Sequence, residues 1–372
     1  TCVDDASYRA SDGTDCRNYG GLDGLPEAKA LFAEYLEVEP EEIIIGGASS
    51  LQMMHDTIMS AMVHGAADDA EPWGRRQVKF LCPSPGYDRH SSICERLGIQ
   101  MLPVPMRDDG PDMGEVERLV GADPAIVGIW CVPRYSNPTG VVYGDQVVDR
   151  LATMETAAPD LRIFWDNAYA VHHLSDEHPP LKSILAACKK AGHADRVHIF
   201  GSTSKMTFAG AGLAMMAGSA ANMARRRSQM SIQTIGPDKL NQLRHVRFLR
   251  DMDGIRAHMR KHAAILKPKF DAVQEILARE LGGKGIAQWT RPQGGYFVGL
   301  DTLDGCAKAV IARAAQAGVR LTPAGSTYPY KSDPNDRNIR IAPSFPLLGD
   351  ITQATELLAI CVQLVAIEKV MA

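Results

Sequence analysis

Ala125–Val132, AIVGIWCV, runs eight residues with no charged side chain and no alternation of polar with apolar. A strand that shows one face to water alternates. An uninterrupted apolar strand is covered on both faces, the condition of a parallel sheet packed between helices. Shorter, mostly apolar stretches recur at Ile43–Ile45, Val78–Cys82, Gln100–Val104, Leu161–Trp165 and Val197–Phe200. Helix-forming segments separate them, the first being Ala28–Leu36, which Pro26 introduces as a residue suited to a first helical turn. This alternation is the pattern of an α/β fold whose ligand lies along the carboxyl edge of the sheet. Beyond Asp251 an amphipathic stretch to Leu281 reads as one long helix; strands within 282–301 and a helix at Ala307–Gly318 then suggest a smaller α+β unit. With 372 residues, 45% of them hydrophobic, the chain can bury both a large core and a second, smaller one.

Charge and composition exclude several function classes. Lys and Arg total 40 against 44 Asp and Glu, a net charge of -4, so no basic field awaits nucleic acid; the basic run Arg225–Arg227 reads as a solvated helix face. No apolar segment approaches a membrane span, and the opening TCVDDASYRA lacks the charged-then-apolar order of a signal peptide, so a cytoplasmic protein is expected. The eight cysteines include no CxxC pair and read as reduced packing residues. His172 and His173 are adjacent and cannot share a helical face, so no metal-ligand pattern is found. The polar stretch from Thr1 to Cys16 reads as an arm that gains order by docking.

Residues with chemical potential collect where the apolar runs end. Val197–Phe200 leads into GSTSKMTFAGAG, in which Lys205 stands among small residues. A lysine there can act as a nucleophile toward an aldehyde once its pKa is depressed, and Ser202 and Ser204 beside it can hold a phosphate. Leu161–Trp165 leads into DNAYAVHH; Asp166 is a carboxylate at the end of a buried strand and needs a partner, and Tyr169 follows three residues later. After Val132 comes PRYSNPTG, where Pro138 and Gly140 make a turn that projects the Asn137 amide. After Ile45, the turn Gly46–Gly47 opens a helix at Ala48, Ser49 and Ser50, and free N–H groups at a helix start favour phosphate. Tyr87 follows the strand Val78–Cys82 as an aromatic surface for stacking. Near the end, RNIRIAPSFP sets Arg340 between apolar neighbours, where a bidentate carboxylate is its best partner.

The phrases GLDGLPEAKALF, PGYDRH, STSKMTFAGAGLA and NQLRHVRFL together resemble the fold-type I aminotransferases that use pyridoxal 5'-phosphate (PLP), in particular the aspartate aminotransferase subgroup related to MocR-type domains. The resemblance runs from about Arg17 to the C-terminus. It implies a large domain with a mostly parallel seven-stranded sheet sandwiched by helices and a smaller α+β C-terminal domain, with an arm at 1–19, the large domain at 20–255 and the small one at 256–372. It implies a homodimer, Tyr19 reaching the cofactor phosphate of the neighbouring subunit. By resemblance Lys205 condenses with the PLP aldehyde and moves protons, Asp166 keeps the pyridine nitrogen protonated, and Tyr169 and Asn137 meet the 3'-oxygen. Tyr87 stacks on the ring, while Ala48, Ser49, Ser50, Ser202 and Ser204 take the phosphate. Arg340, with Asn137, binds the substrate's α-carboxylate.

Three positions depart from the family pattern: Lys29 and Leu213 stand where arginine is common, and Asn167 where glutamate is common. The resemblance does not say what replaces the phosphate-binding arginine at Leu213. It points to an L-amino acid, aspartate or glutamate, and a 2-oxo acid, 2-oxoglutarate, as substrates, with the cation for the second carboxylate left open among Arg17, Arg134 and Arg244. A PLP lyase or decarboxylase on the same scaffold, and a non-catalytic MocR-like effector-binding domain, are the alternatives.

Overall fold

In the computed structural model, which describes residues 7–371, the apolar runs become neighbours in one sheet. In chain order the large unit comprises α1 (Pro26–Leu36), β1 (Ile43–Ile45), α2 (Ser50–His64), β2 (Lys79–Ser84), α3 (Asp88–Arg96), β3 (Gln100–Arg107), β4 (Gly110–Pro111), α4 (Met113–Ala122), β5 (Ile126–Cys131), α5 (Asp145–Thr153), β6 (Arg162–Asp166), α6 (Ile184–Lys190), β7 (Val197–Ser202), β8 (Ala214–Gly218), α7 (Ala220–Gln233) and α8 (Lys239–Leu249). The sheet order is β1-β8-β7-β6-β5-β2-β3-β4. β7, β6, β5, β2 and β3 are mutually parallel, and β8 runs antiparallel to both β7 and β1. Seven strands match the expectation. The eighth, β4, is a two-residue return pairing with Met106 and Arg107, too short to leave a hydrophobic pattern.

Burial on both faces explains the apolar runs: every residue of β5, β6 and β7 is buried, Arg162, Asp166 and His198 included. Phe80, Trp130, Phe164 and Phe200 pack across four adjacent strands, with Phe164 at ring-centroid distances of 5.5 Å from Phe80, 4.9 Å from Trp130 and 6.0 Å from Phe200. Gly128 lies opposite Phe80, and a Cβ there would come within 2.3 Å of that ring, so glycine makes the room the aromatic layer needs. Side chains of Ser49, Asp112, Ser183, Ser219, Asp238 and Asp251 cap helices by accepting backbone N–H groups.

The long helix α9 (Met252–Leu281) joins two cores. Its first turns place Met252, Ile255 and Met259 in the core of the large sheet, while Leu266, Phe270, Val273, Leu277 and Leu281 belong to a second cluster. That cluster is built on β9 (Ala287–Trp289), β10 (Val298–Thr302), α10 (Ala307–Gln316), β11 (Asn338–Ile341) and α11 (Leu348–Met371), with the antiparallel order β11-β10-β9. The described part of the N-terminal arm docks: Arg247 donates to the carbonyls of Ser7 and Arg9, and Ser11 bonds Glu27 through its N–H and hydroxyl, each at 3.0 Å. Thr1–Ala6, and with them Cys2, lie outside the described residues.

One expectation is corrected. Arg225–Arg227 is not a solvated face: Arg225 pairs with Asp68 at 2.6 Å, the buried Arg226 with Asp56 at 3.4 Å, and Arg227 with Asp23 at 2.8 Å. α7 lies against the large unit, so its cations meet carboxylates that are remote in sequence. The seven cysteines among the described residues are buried free thiols, and no helix among them is long and apolar enough to cross a membrane. Replacing Phe164 by Ala is expected to lower unfolding free energy by about 3–5 kcal/mol, measured by urea denaturation, because the aromatic layer cannot collapse around the cavity.

Candidate active site

The parallel strands end at one edge, where the register sets Asp166 beside Phe200 and Cys131 beside Trp165. The loops that leave this edge carry Tyr87 after β2, Asn137 after β5, Tyr169 after β6 and Lys205 after β7. The turn holding Asn137 closes through Gly140, whose N–H bonds the Ser136 carbonyl at 2.6 Å; its φ of +75° and a Cβ-to-Pro292 approach of 2.4 Å exclude a side chain there.

Asp166 closes β6 and is buried. His90 Nε2 donates to its Oδ2 at 3.0 Å, while Oδ1 is buried without a hydrogen-bond partner among the described residues. The His90 ring stacks on Trp130 at 4.1 Å with 6° between planes, and its other neighbour is the edge of Tyr87 at 5.0 Å. Sequence reasoning did not single out His90. Its signal was there: His90, Ile93 and Cys94 form the buried stripe of α3, so a histidine shares the inward helical face with two apolar residues.

Burial lowers the Lys205 pKa, opposed in part by the negative charge of Asp166. Its ammonium lies 4.8 Å from the centre of the Tyr169 ring. Burial also raises the Tyr169 hydroxyl far above its ordinary value, with Asp166 adding to the effect. The main chain around the lysine is fastened from several elements. Tyr296 donates its hydroxyl to the Lys205 carbonyl at 3.0 Å and His172 Nε2 reaches the same oxygen at 3.3 Å. His258 of α9 bonds the Met206 carbonyl at 2.7 Å, and His245 of α8 bonds the Thr207 hydroxyl at 2.9 Å.

The glycine turn after β1 lies against this loop. Gly46 and Gly47 exchange backbone bonds with Ala214 at 2.8 and 2.7 Å, and Ser204 Oγ meets the Ala48 carbonyl at 3.4 Å. Ser49 caps α2, Ser50 is the first helical residue, and Ser202 is the buried last residue of β7. Leu213 sits in the apolar core while its N–H donates to Thr203 Oγ1 at 2.8 Å. A side chain at 213 therefore serves packing.

Arg340, on β11, reaches across from the second sheet. Nη1 bonds Asn137 Oδ1 and Asp88 Oδ1, each at 3.2 Å, and Nη2 bonds Thr322 Oγ1 at 3.1 Å. The guanidinium carbon lies 5.0 Å from the centre of the Phe297 ring. Asp88 and Thr322 were not anticipated. Tyr19 is 82% exposed in the single chain. Of the three candidate cations for a second carboxylate, Arg17 pairs with Asp15 at 3.0 Å and Arg244 is exposed on α8, bonding Asn241 at 2.6 Å. Arg134 donates to the Pro179 carbonyl and lines a cavity of about 810 Å³ with Tyr35, Trp165 and Asn167, on the face of β6 opposite to Asp166. Among the described residues neither Arg134 nor Arg244 bonds Lys205, Asn137 or Arg340. No group of three or more His, Cys, Asp or Glu among them could hold a metal ion.

Comparison with known proteins bears on this arrangement. Residues 2–372 match the family model described as aspartate amino-transferase. A putative aminotransferase of Mycolicibacterium smegmatis is 51% identical over 366 residues, spanning 98% of this chain and 86% of its own length. The crystal structure of an aspartate transaminase from Corynebacterium glutamicum aligns with a TM-score of 0.96 and 48% identity, covering 98% of this chain and 86% of that one. The α-aminoadipate aminotransferase of Thermus thermophilus, complexed with N-(5'-phosphopyridoxyl)-L-leucine, shares the fold with a TM-score of 0.77 at 21% identity, over 94% of this chain and 84% of its own.

The bond from His172 Nε2 to a carbonyl requires the proton on that nitrogen and leaves Nδ1 buried without a partner among the described residues. Burial and the positive Lys205 push this imidazole down to about 3. Its unfolded-state pKa is about 6.5, so below that value only the unfolded chain takes up the proton and acid destabilises the fold, until the folded pKa is reached. His172→Gln should flatten the decline of unfolding free energy by up to about 1.4 kcal/mol per pH unit between roughly pH 6 and pH 4, in urea titrations at each pH.

Proposed function

The chain belongs to the aspartate amino-transferase family, and from that premise we propose that it transfers an amino group between an L-amino acid, aspartate or glutamate, and a 2-oxo acid, 2-oxoglutarate serving as acceptor for aspartate, with PLP as its cofactor. That it is an aminotransferase follows from the family; the substrate pair and the residue roles are the further step. The observation that carries the reading is Asp166 Oδ1, buried without a partner among the described residues. A carboxylate oxygen buried at a strand exit demands a donor. A protonated pyridine nitrogen would be one, and the His90 bond to Oδ2 keeps the carboxylate turned toward it. The depressed pKa of Lys205 and the free helix start at Ala48, Ser49 and Ser50 fit the aldehyde and the phosphate of the same molecule.

When bound, PLP supplies an electron sink conjugated to the substrate's α carbon. The chain's own residues supply the rest. Tyr87 would cover one face of the ring, Asn137 and Tyr169 would hold the 3'-oxygen, and Ser202 and Ser204 would add hydroxyls to the phosphate. Lys205 would condense with the aldehyde and, once released by the incoming amine, carry a proton from the α carbon to the C4' carbon of the cofactor. Its burial favours the neutral amine that such a base must be. Arg340 would take the α-carboxylate, with the Asn137 amide beside it. The exposed Tyr19 would serve the neighbouring subunit, which makes the active unit a homodimer. Buried free thiols suit the cytoplasm. The kinship to MocR-type domains rests on the sequence phrases alone, and the division into large and small domains would fall within α9.

Lys205→Ala should retain the far-UV circular dichroism of the parent and lose turnover by at least about 10³-fold. After borohydride reduction and dialysis the parent should keep PLP covalently bound and the variant none, by mass spectrometry; wild-type turnover in the variant would refute the assignment. Parent enzyme given L-aspartate without an acceptor should release 2-oxo acid in stoichiometric amount and then stop, whereas a lyase or decarboxylase would continue. Sedimentation should show a particle of twice 40.4 kDa, and a monomer active at any dilution would remove Tyr19 from the site.

A further inference from the structure

Arg340 already holds a carboxylate. Asp88 Oδ1 lies 3.2 Å from Nη1, and the two residues are 252 positions apart in the chain. We propose that Asp88 is an exchangeable counter-ion: it neutralises Arg340 in the free enzyme and gives up its place to the α-carboxylate of the incoming amino acid or 2-oxo acid. The proposal rests on Arg340 being the carboxylate-binding residue.

The accessible edge of the guanidinium decides the matter. A guanidinium offers five N–H groups, and a carboxylate pairs with two of them in a fork. Nε of Arg340 is buried with no partner among the described residues, and the cation is set over the Phe297 ring, so neither the Nε side nor that face is open to a ligand. What remains is the Nη1–Nη2 end. There the partners among the described residues are Asn137 and Thr322, both neutral, and Asp88, an anion. A second carboxylate arriving at this end meets Asp88 as a like charge at the same nitrogen, and one of the two must leave.

Asp88 is built to leave. A fixed positioning pair would be short and forked. This one is a single contact at 3.2 Å, longer than the usual charge-assisted bond of about 2.7–2.9 Å, and the second oxygen of Asp88 has no hydrogen-bond partner among the described residues. Its side chain is 34% exposed against 12% for Arg340, so water can receive it. Asp88 is also the first residue of α3, where the positive end of the helix dipole stabilises a carboxylate whether or not Arg340 is engaged. Exchange of one carboxylate for another keeps the largely buried guanidinium compensated throughout. Only an anion can displace an anion, so the device also discriminates against amines that lack the α-carboxylate.

The sign of one measurement separates this from a purely structural pair. An occupied site weakens its ligand by the fraction of time it is blocked, so Asp88→Asn should lower KM for amino acid and 2-oxo acid alike, by about five- to tenfold, with kcat changed less than about threefold. Binding of 2-oxoglutarate to the PLP-loaded enzyme, where no amino donor is present, should tighten by the same factor in calorimetry. Asp88→Ser, which keeps a hydrogen-bonding group at the start of α3, should do the same and covers the case in which the amide variant folds poorly. A KM and Kd that rise or stay unchanged in both variants would overturn the exchange. Arg340→Lys is the separate control: it should raise both KM values about tenfold or more, and if it does not, the reading of Arg340 fails rather than that of Asp88.

Discussion

A buried carboxylate whose charge is only half answered organises this protein. Among the described residues Asp166 receives one N–H, from His90, and its remaining oxygen has no partner. Leaving an anion so placed costs several kcal/mol unless a further donor arrives. The surroundings keep it there regardless: β6 is hydrogen-bonded on both sides by β5 and β7, and the His90 ring is stacked flat on Trp130. The rigid part of the structure therefore presents an electrostatic demand, and the proposed cofactor is a molecule that meets it.

The lysine is held by its backbone as much as by its burial. The loop from Ser202 to Gly212 is rich in glycine and small residues, and Met206 seats it in the core. Its carbonyls and hydroxyl are also engaged by His172, Tyr296, His258 and His245, which come from the β6–α6 connection, the β9–β10 connection, α9 and α8. Tyr296 is the informative member, because it leads directly into β10 of the second sheet. The same bond that orients the Lys205 main chain ties it to the body that carries Arg340. Amine and guanidinium are thus positioned relative to one another through a short, continuous set of contacts.

Much of this was legible in the order of residues. The both-face burial of β5 was written in an unbroken apolar run and that of β6 and β7 in mostly apolar ones, and the strand exits already named Tyr87, Asn137, Asp166, Tyr169 and Lys205. Other parts left no local trace. β4 is too short for a period. Arg134 was a reasonable candidate by type, yet it turns to the far side of β6, because it sits in a bend after β5 where its guanidinium bonds the Pro179 carbonyl. Arg225–Arg227 looked solvated because charge runs usually are, and its three carboxylate partners stand at Asp68, Asp56 and Asp23.

The sequence by itself determined which residues lie at the carboxyl edge of a mostly parallel sheet, since strand, turn and helix signals depend on neighbours a few positions away. Only the tertiary structure decided which of those groups meet: His90 with Asp166, Tyr296 with Lys205, Asp88 and Asn137 with Arg340. Hydrophobic periodicity assigns a residue to the inside. The choice of partner for a buried charge is made among all groups the packed layers bring within bonding distance, and that set exists only once the chain has folded.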